Sequence, residues 1–127
     1  MAGIIKGVSP PTQVLGIASL KGNFLTKEVN QLLLDYPTSK KTQWSINTNY
    51  HFGGYAKFTR ELIAFINSFK QRYNIALDPI YTGKMMYAIL DLIEKDFFPK
   101  GSNIVAIHTG GLQGIKGFNQ LHGNLIK

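Results

Sequence analysis

The stretch that most narrows the choice of fold is Asn103-Ile104-Val105-Ala106-Ile107-His108, with Thr109-Gly110-Gly111 directly after it. Its middle is apolar without alternation, the pattern of a strand covered on both faces. Such strands belong to parallel sheets flanked by helices. Upstream, residues 13–19 (QVLGIAS) form a short run rich in β-formers. A helical pattern follows, with Thr26 as its expected N-cap, Val29, Leu32, Leu33 and Tyr36 on one face, and Pro37 as its stop. Residues 38–58 are polar and turn-rich, with one strand expected around Trp44 to Asn47. A long irregular stretch of this kind in a compact domain tends to carry function.

From Thr59 to Tyr73 the helical period returns, with Leu62, Phe65, Ile66 and Phe69 on one stripe. A further helix is expected from about Lys84 to Lys95, burying Met86, Ile89, Leu90 and Ile93. Strands alternating with helices predict an α/β fold, a three-layer sandwich with a mostly parallel sheet. Ligands in such folds gather beyond the C-terminal ends of the strands. No repeat or linker divides residues 1–127, so one domain is expected.

Fourteen Lys and Arg against seven Asp and Glu leave a net charge of +7, which admits an anionic partner. The basic residues are dispersed, and only Lys40 and Lys41 adjoin, so they form no arm or stripe. The sequence contains no cysteine, which agrees with a reducing cytoplasm, and no apolar run long enough to span a membrane. Histidines 51, 108 and 122 lie far apart in no ligand spacing, so no metal site is expected.

Tyr81-Thr82-Gly83-Lys84 has the look of a phosphate loop but fails at both ends. Position 78 is Asp where the signature needs Gly, and position 85 is Met where it needs Ser or Thr. Lys84 then reads as a solvated residue in the first turn of a helix. Asp78-Pro79-Ile80-Tyr81 can equally be a turn before a helix, with Tyr81 a packing residue. Against that plain reading, Tyr81, Thr82 and Thr109 all place hydroxyls at the same expected sheet edge.

LDPIYTGKMMYAILDLI and, after a short spacer, NIVAIHTGGLQG resemble the C-terminal half of the pyridoxal-phosphate enzymes related to 1-aminocyclopropane-1-carboxylate (ACC) deaminase and D-cysteine desulfhydrase. FGGYAKF is similar, more loosely, to that family's second tyrosine loop. The resemblance implies a tryptophan synthase β-like fold and pyridoxal 5'-phosphate as cofactor. It implies Tyr81 and Tyr55 as catalytic phenols, Tyr81 with a lowered pKa. It also implies Thr82, Thr109, Gly110 and Gly111 as cofactor-binding positions.

In the deaminase branch the two threonine positions carry glutamate and leucine. Two threonines resemble the desulfhydrase branch, which eliminates sulfide from a D-amino acid. The family's cofactor-bearing lysine, substrate serine and asparagine loop precede the part that this chain resembles. So does the glycine-rich phosphate cup, which sits just before a segment like AGIIKGV. Lys84 corresponds to a first-turn residue and not to the cofactor-bearing one.

The expectation is therefore a C-terminal portion, inactive alone, whose partners are the lysine-bearing half, a small amino-acid substrate and, in a homodimer, a second copy. A small basic nucleotide- or nucleic-acid-binding module and a decayed structural remnant stand as the alternatives.

Overall fold

The computed structural model describes residues 1–35 and 41–127. Among these the order is α1 (Ala2–Gly7), β1 (Val14–Ile17), α2 (Phe24–Asp35), β2 (Trp44–Asn47), α3 (Arg60–Tyr73), α4 (Thr82–Glu94) and α5 (Gly114–His122). β1 and β2 pair in parallel, from Val14 opposite Trp44 to Ile17 opposite Asn47. α2 makes the crossover that parallel neighbours require. The class is thus α/β with a parallel sheet, and both strands fall where the sequence put them.

α3 has a complete set of end signals. The Thr59 hydroxyl accepts the Leu62 N–H at 3.2 Å, and Asn74 closes the helix in the left-handed region at φ 56°. Its buried stripe, Leu62, Ile63, Ile66 and Phe69, forms the core with Leu77, Phe118 and Ile126. Each such side chain contributes about 1.5–3 kcal/mol by leaving water. The C-terminus is fastened back onto α3, since Asn67 donates to Leu125 O at 2.8 Å and accepts the Lys127 N–H at 2.9 Å.

α2 begins at Phe24, two residues before the expected cap Thr26, and buries none of its residues fully. Val29 and Leu33 are half-buried and Leu32 is exposed, while Tyr36 and Pro37 lie outside the described residues. α4 turns a different face inward than its large apolar residues suggested. Lys84, Ala88 and Leu92, four apart, are buried together with Thr82 and Gly83, whereas Met86, Ile89 and Leu90 are half-buried and Ile93 is exposed. The reason is close approach to α3. A Cβ on Gly83 would lie 2.6 Å from Ile66 Cδ1 and 2.7 Å from the Asp78 carbonyl, so the smallest residues occupy the contact and the large ones flank it.

Asn103–His108 is not a strand in this chain. The segment is irregular and exposed, Val105 reaching 84%, and no backbone hydrogen bond is formed from Asn103 to Ile107 among the described residues. An unbroken apolar run reports two faces suited to covering, but a ladder also needs a neighbouring strand. β1 and β2 pair with each other and with nothing else described. No described helix is long and apolar enough to cross a membrane.

Candidate functional site

Asp78 organises the start of α4. The first N–H groups of any helix lack partners within it, and here four in succession converge on one residue. Asp78 Oδ1 accepts from Ile80 and Tyr81, both at 2.8 Å, Oδ2 accepts from Thr82 at 2.9 Å, and the backbone carbonyl accepts from Gly83 at 2.8 Å. The Thr82 hydroxyl donates to Oδ2 at 2.6 Å and accepts the Asp78 N–H at 2.9 Å. The carboxylate is only 2% exposed. Burial pushes its pKa up, but the Thr82 hydroxyl and the three N–H groups outweigh that and hold it below the ordinary carboxylate value.

Lys84, expected in solvent, is fully buried at 0% exposure. Its ammonium donates to His51 O and Gly54 O, each at 2.8 Å. Burial lowers its pKa, with the Asp78 carboxylate acting in the opposite sense. The turn it grips runs through left-handed backbone at Phe52, Gly53, Gly54 and Ala56. Within it, Gly54 N–H donates to His51 O at 3.0 Å and Gly53 N–H to His51 Nδ1 at 2.9 Å.

The outcome is a pair of phenols. Tyr55, at the crest of that turn, and Tyr81, at the head of α4, lie with ring centroids 6.2 Å apart at 58°. They are 57% and 48% exposed. The Tyr55 phenol, then partial burial, then the Asp78 charge raise the Tyr81 pKa above its ordinary value. That is opposite to the lowered value expected, because the groups around its hydroxyl favour the neutral phenol. Tyr81 is thus a neutral phenol at physiological pH, fit to donate a proton or orient a partner.

The glycine loop after His108 reaches the same place. His108 accepts the Gly110 N–H at Nδ1 (3.1 Å), so its Nε2–H donates to Ala76 O (2.9 Å), which ties the loop to the segment leading into Asp78. Gly111, at φ 90°, lies so close that a Cβ there would be 2.9 Å from Asp78 Oδ2. Gly110, at φ 91°, has open space above it, and Thr109 is exposed. Tyr81, Thr82 and Gly111 are therefore brought around Asp78, Tyr55 stands against Tyr81, and Thr109 and Gly110 are carried next to Gly111 along the chain. Thr82 differs in kind, because its hydroxyl faces inward to Asp78.

Sequence reasoning read Asp78 only as part of a turn and placed Lys84 in solvent, yet these two residues build the site. An acid four positions before a buried threonine, at a helix start, is a capping signal that was there to read. Nothing local marks Lys84 as buried.

No protein-family model matches the sequence. A Pyrococcus furiosus protein provisionally named 1-aminocyclopropane-1-carboxylate deaminase is 44% identical over 66 residues, 52% of this chain and 20% of that protein. The 1-aminocyclopropane-1-carboxylate deaminase of Rhizobium leguminosarum bv. viciae is 32% identical over 74 residues, 58% of this chain and 22% of that protein. A crystal structure of an ACC deaminase homologue superposes with a TM-score of 0.77 at 31% identity, covering 98% of this chain and 40% of that one. The chain spans about a fifth of the length of these curated relatives. In sequence and in fold, then, this chain is similar to one part of the ACC deaminases.

Proposed function

We propose that the chain is the C-terminal portion of a pyridoxal-phosphate-dependent enzyme of the ACC deaminase kind, acting in the cytoplasm, with D-cysteine as the preferred substrate over the cyclopropane amino acid. We further propose that it turns over neither substrate until a second polypeptide supplies the cofactor-bearing lysine. The observation that carries this reading is the Tyr55–Tyr81 pair, half exposed and 6.2 Å apart, beside the glycine loop that meets the start of α4 at Asp78.

The residues present suit one edge of a planar ring. Thr109 is exposed with a hydroxyl proton to give, Gly110 leaves open space, and Gly111 lets the loop lie flat against Asp78. Thr82, whose proton goes to Asp78 Oδ2, has only a lone pair left for a ring nitrogen. The same residues do not suit a covalent anchor. Lys84 directs two of its three protons onto carbonyls and has no exposed surface.

When bound, the cofactor supplies the electron sink for the amino acid's α-carbon. What this chain adds is proton handling over the substrate. The overall conversion is D-cysteine plus water to pyruvate, ammonia and hydrogen sulfide. The departing sulfur needs a proton, and Tyr81 Oη, kept protonated by its neighbours, is the group to give it, with Tyr55 Oη beside it to restore it. Two threonines and no carboxylate at the ring-nitrogen positions favour this elimination over opening of a cyclopropane ring, which needs the stronger sink. The backbone of residues 103–107, which forms no backbone hydrogen bond among the described residues, supports the need for a partner, as an edge that a strand of the complementary portion could extend.

The experiment has two arms. Incubating the chain with pyridoxal phosphate and trapping with borohydride should give no mapped adduct at Lys84 and no sulfide from D-cysteine. A single-site adduct with turnover would overturn the proposed dependence on a partner. Adding the preceding portion of an ACC deaminase homologue should yield sulfide and pyruvate, and Tyr81→Phe should lower that rate about 10²–10⁴-fold, the usual worth of a general acid. A complemented enzyme indifferent to Tyr81→Phe would remove the assigned role.

A further inference from the structure

The 51–56 turn presents a puzzle of energy. Phe52 and Ala56 are non-glycine residues held at φ 51° and 54°, a conformation costing roughly 1–2 kcal/mol per residue. Such strain persists only where surroundings over-determine it. The entry to the turn is anchored, since the Tyr50 hydroxyl donates to Asp91 Oδ2 at 2.5 Å and the Phe52 ring meets Tyr87 edge-on at 5.0 Å. The exit is anchored too, by Phe58 against Phe118 at 4.9 Å. Between these anchors the crest that carries Tyr55 meets the Tyr81 ring and, among the described residues, is gripped by the Lys84 ammonium through His51 O and Gly54 O.

That ammonium is an expensive choice for its position. Lys84 occupies the buried row of α4 with Ala88 and Leu92, in a first turn where the helix dipole disfavours a cation. An apolar side chain would be the ordinary occupant. Nor do the carbonyls need it, because His51 O already accepts the Gly54 N–H and Gly54 O the Lys57 N–H. What a long side chain with diverging donors adds is a fixed span between the helix that starts at Tyr81 and the turn that bears Tyr55.

We infer that Lys84 is a positioning residue, holding His51 O and Gly54 O so that Tyr55 stands against Tyr81. Asp78 does the corresponding work for Tyr81 by binding its backbone N–H at 2.8 Å. Two buried charges of opposite sign, six positions apart in the sequence at one helix start, thereby each fix one member of the phenol pair. The functional weight of this inference rests on the roles proposed for Tyr55 and Tyr81. Its readouts are tyrosine titration and ring contacts in the free chain, so either idea can fail without the other.

The test is Lys84→Met, close in length and lacking donors, in protein carrying 13Cζ-labelled tyrosine. With far-UV circular dichroism and the Tyr81 and Thr82 amide resonances kept at their wild-type positions, the Tyr55–Tyr81 ring cross-peaks should disappear. The Tyr81 titration should fall back toward that of a free phenol, and Lys84→Arg should not restore it, because a planar fork does not match the two carbonyls. A folded Lys84→Met protein that keeps both the cross-peaks and the raised titration overturns the inference. Should that variant fail to fold, the 15N resonance of the wild-type Lys84 ammonium decides. Slow proton exchange with cross-peaks to residues 51–54 supports the tether, and rapid exchange with no such contact refutes it.

Discussion

Asp78→Asn is the substitution whose consequences can be worked out furthest. Asparagine keeps the shape, and its Oδ1 can still accept from Ile80 and Tyr81. On the other side an NH2 group replaces Oδ2 and meets the Thr82 N–H, so donor faces donor, and the Thr82 hydroxyl must rotate to accept instead. One buried N–H is left without a partner, at about 1–3 kcal/mol, and the remaining bonds lose the strengthening a charge gives. A net loss of about 2–4 kcal/mol is expected at pH 7, which moves a urea midpoint by about 1–2 M for a domain of this size. Unfolding is followed by far-UV circular dichroism and by the single tryptophan, Trp44.

The pH dependence supplies a second, independent check. The folded-state pKa of Asp78 lies below the unfolded value of about 3.9, so its contribution is complete above that pH and is lost as the pH falls through the folded value. The gap between wild type and Asp78→Asn should therefore be widest near neutrality and narrow below about pH 4. A gap under about 0.5 kcal/mol at pH 7, or one that does not change in acid, would mean that the carboxylate does not hold the start of α4.

Gly83→Ala should destabilise by about 1–3 kcal/mol despite alanine's better helix propensity, since the added methyl meets buried Ile66 at 2.6 Å and the fixed Asp78 carbonyl at 2.7 Å; an unchanged melting temperature would show that α3 and α4 are not so close. The Tyr87 phenol, bonded to Glu61 and partly buried, is pushed up to about 12, so its 13Cζ resonance should show it still largely un-ionised at pH 11 and titrating at lower pH in Glu61→Gln. Val105→Glu should reduce concentration-dependent self-association in light scattering, because a charge at the most exposed large apolar residue of the 103–107 edge opposes pairing. A wild-type chain that stays monomeric at every concentration would contradict that reading of the edge.

The parts of the fold that could be read from the sequence are those whose partners are near at hand. β1, β2 and α3 fall where period and capping put them, because Thr59, the Leu62–Ile66–Phe69 stripe and the β-forming runs act locally or against one another. The failures share a different cause. Asn103–His108 has the composition of a two-sided strand, but strand formation depends on neighbours that composition does not contain. The buried face of α4 was misjudged because the contact with α3 is governed by how near two backbones come, which selects Gly83 and Ala88 over Met86 and Ile93. Tyr81 and Tyr55 could be singled out from the motifs around them, whereas the direction of the Tyr81 pKa could not. That direction depends on the Tyr55 phenol, on partial burial and on the Asp78 charge, which only the folded arrangement brings together.

Asp78 and Lys84 also bear on why buried charge is kept at all. Opposite charges this close in sequence would be expected to pair, yet among the described residues the one ion pair is Lys95 with Asp91, on the exposed side of α4. Asp78 is satisfied by N–H groups and Lys84 by carbonyls. A direct pair would neutralise both charges and fix nothing else, and an apolar pair of the same volume is often as stable. Backbone partners are different, because each hydrogen bond constrains a particular stretch of chain. Here the constrained stretches are the two that carry the phenols. Beyond the stability that Asp78 adds, the two charges fix geometry, and this account requires that exchanging them for apolar residues fail. A Lys84→Met, Asp78→Leu double variant that folds should lose the Tyr55–Tyr81 ring contacts whatever its melting temperature, and a double variant that keeps them would mean that packing alone sets the pair.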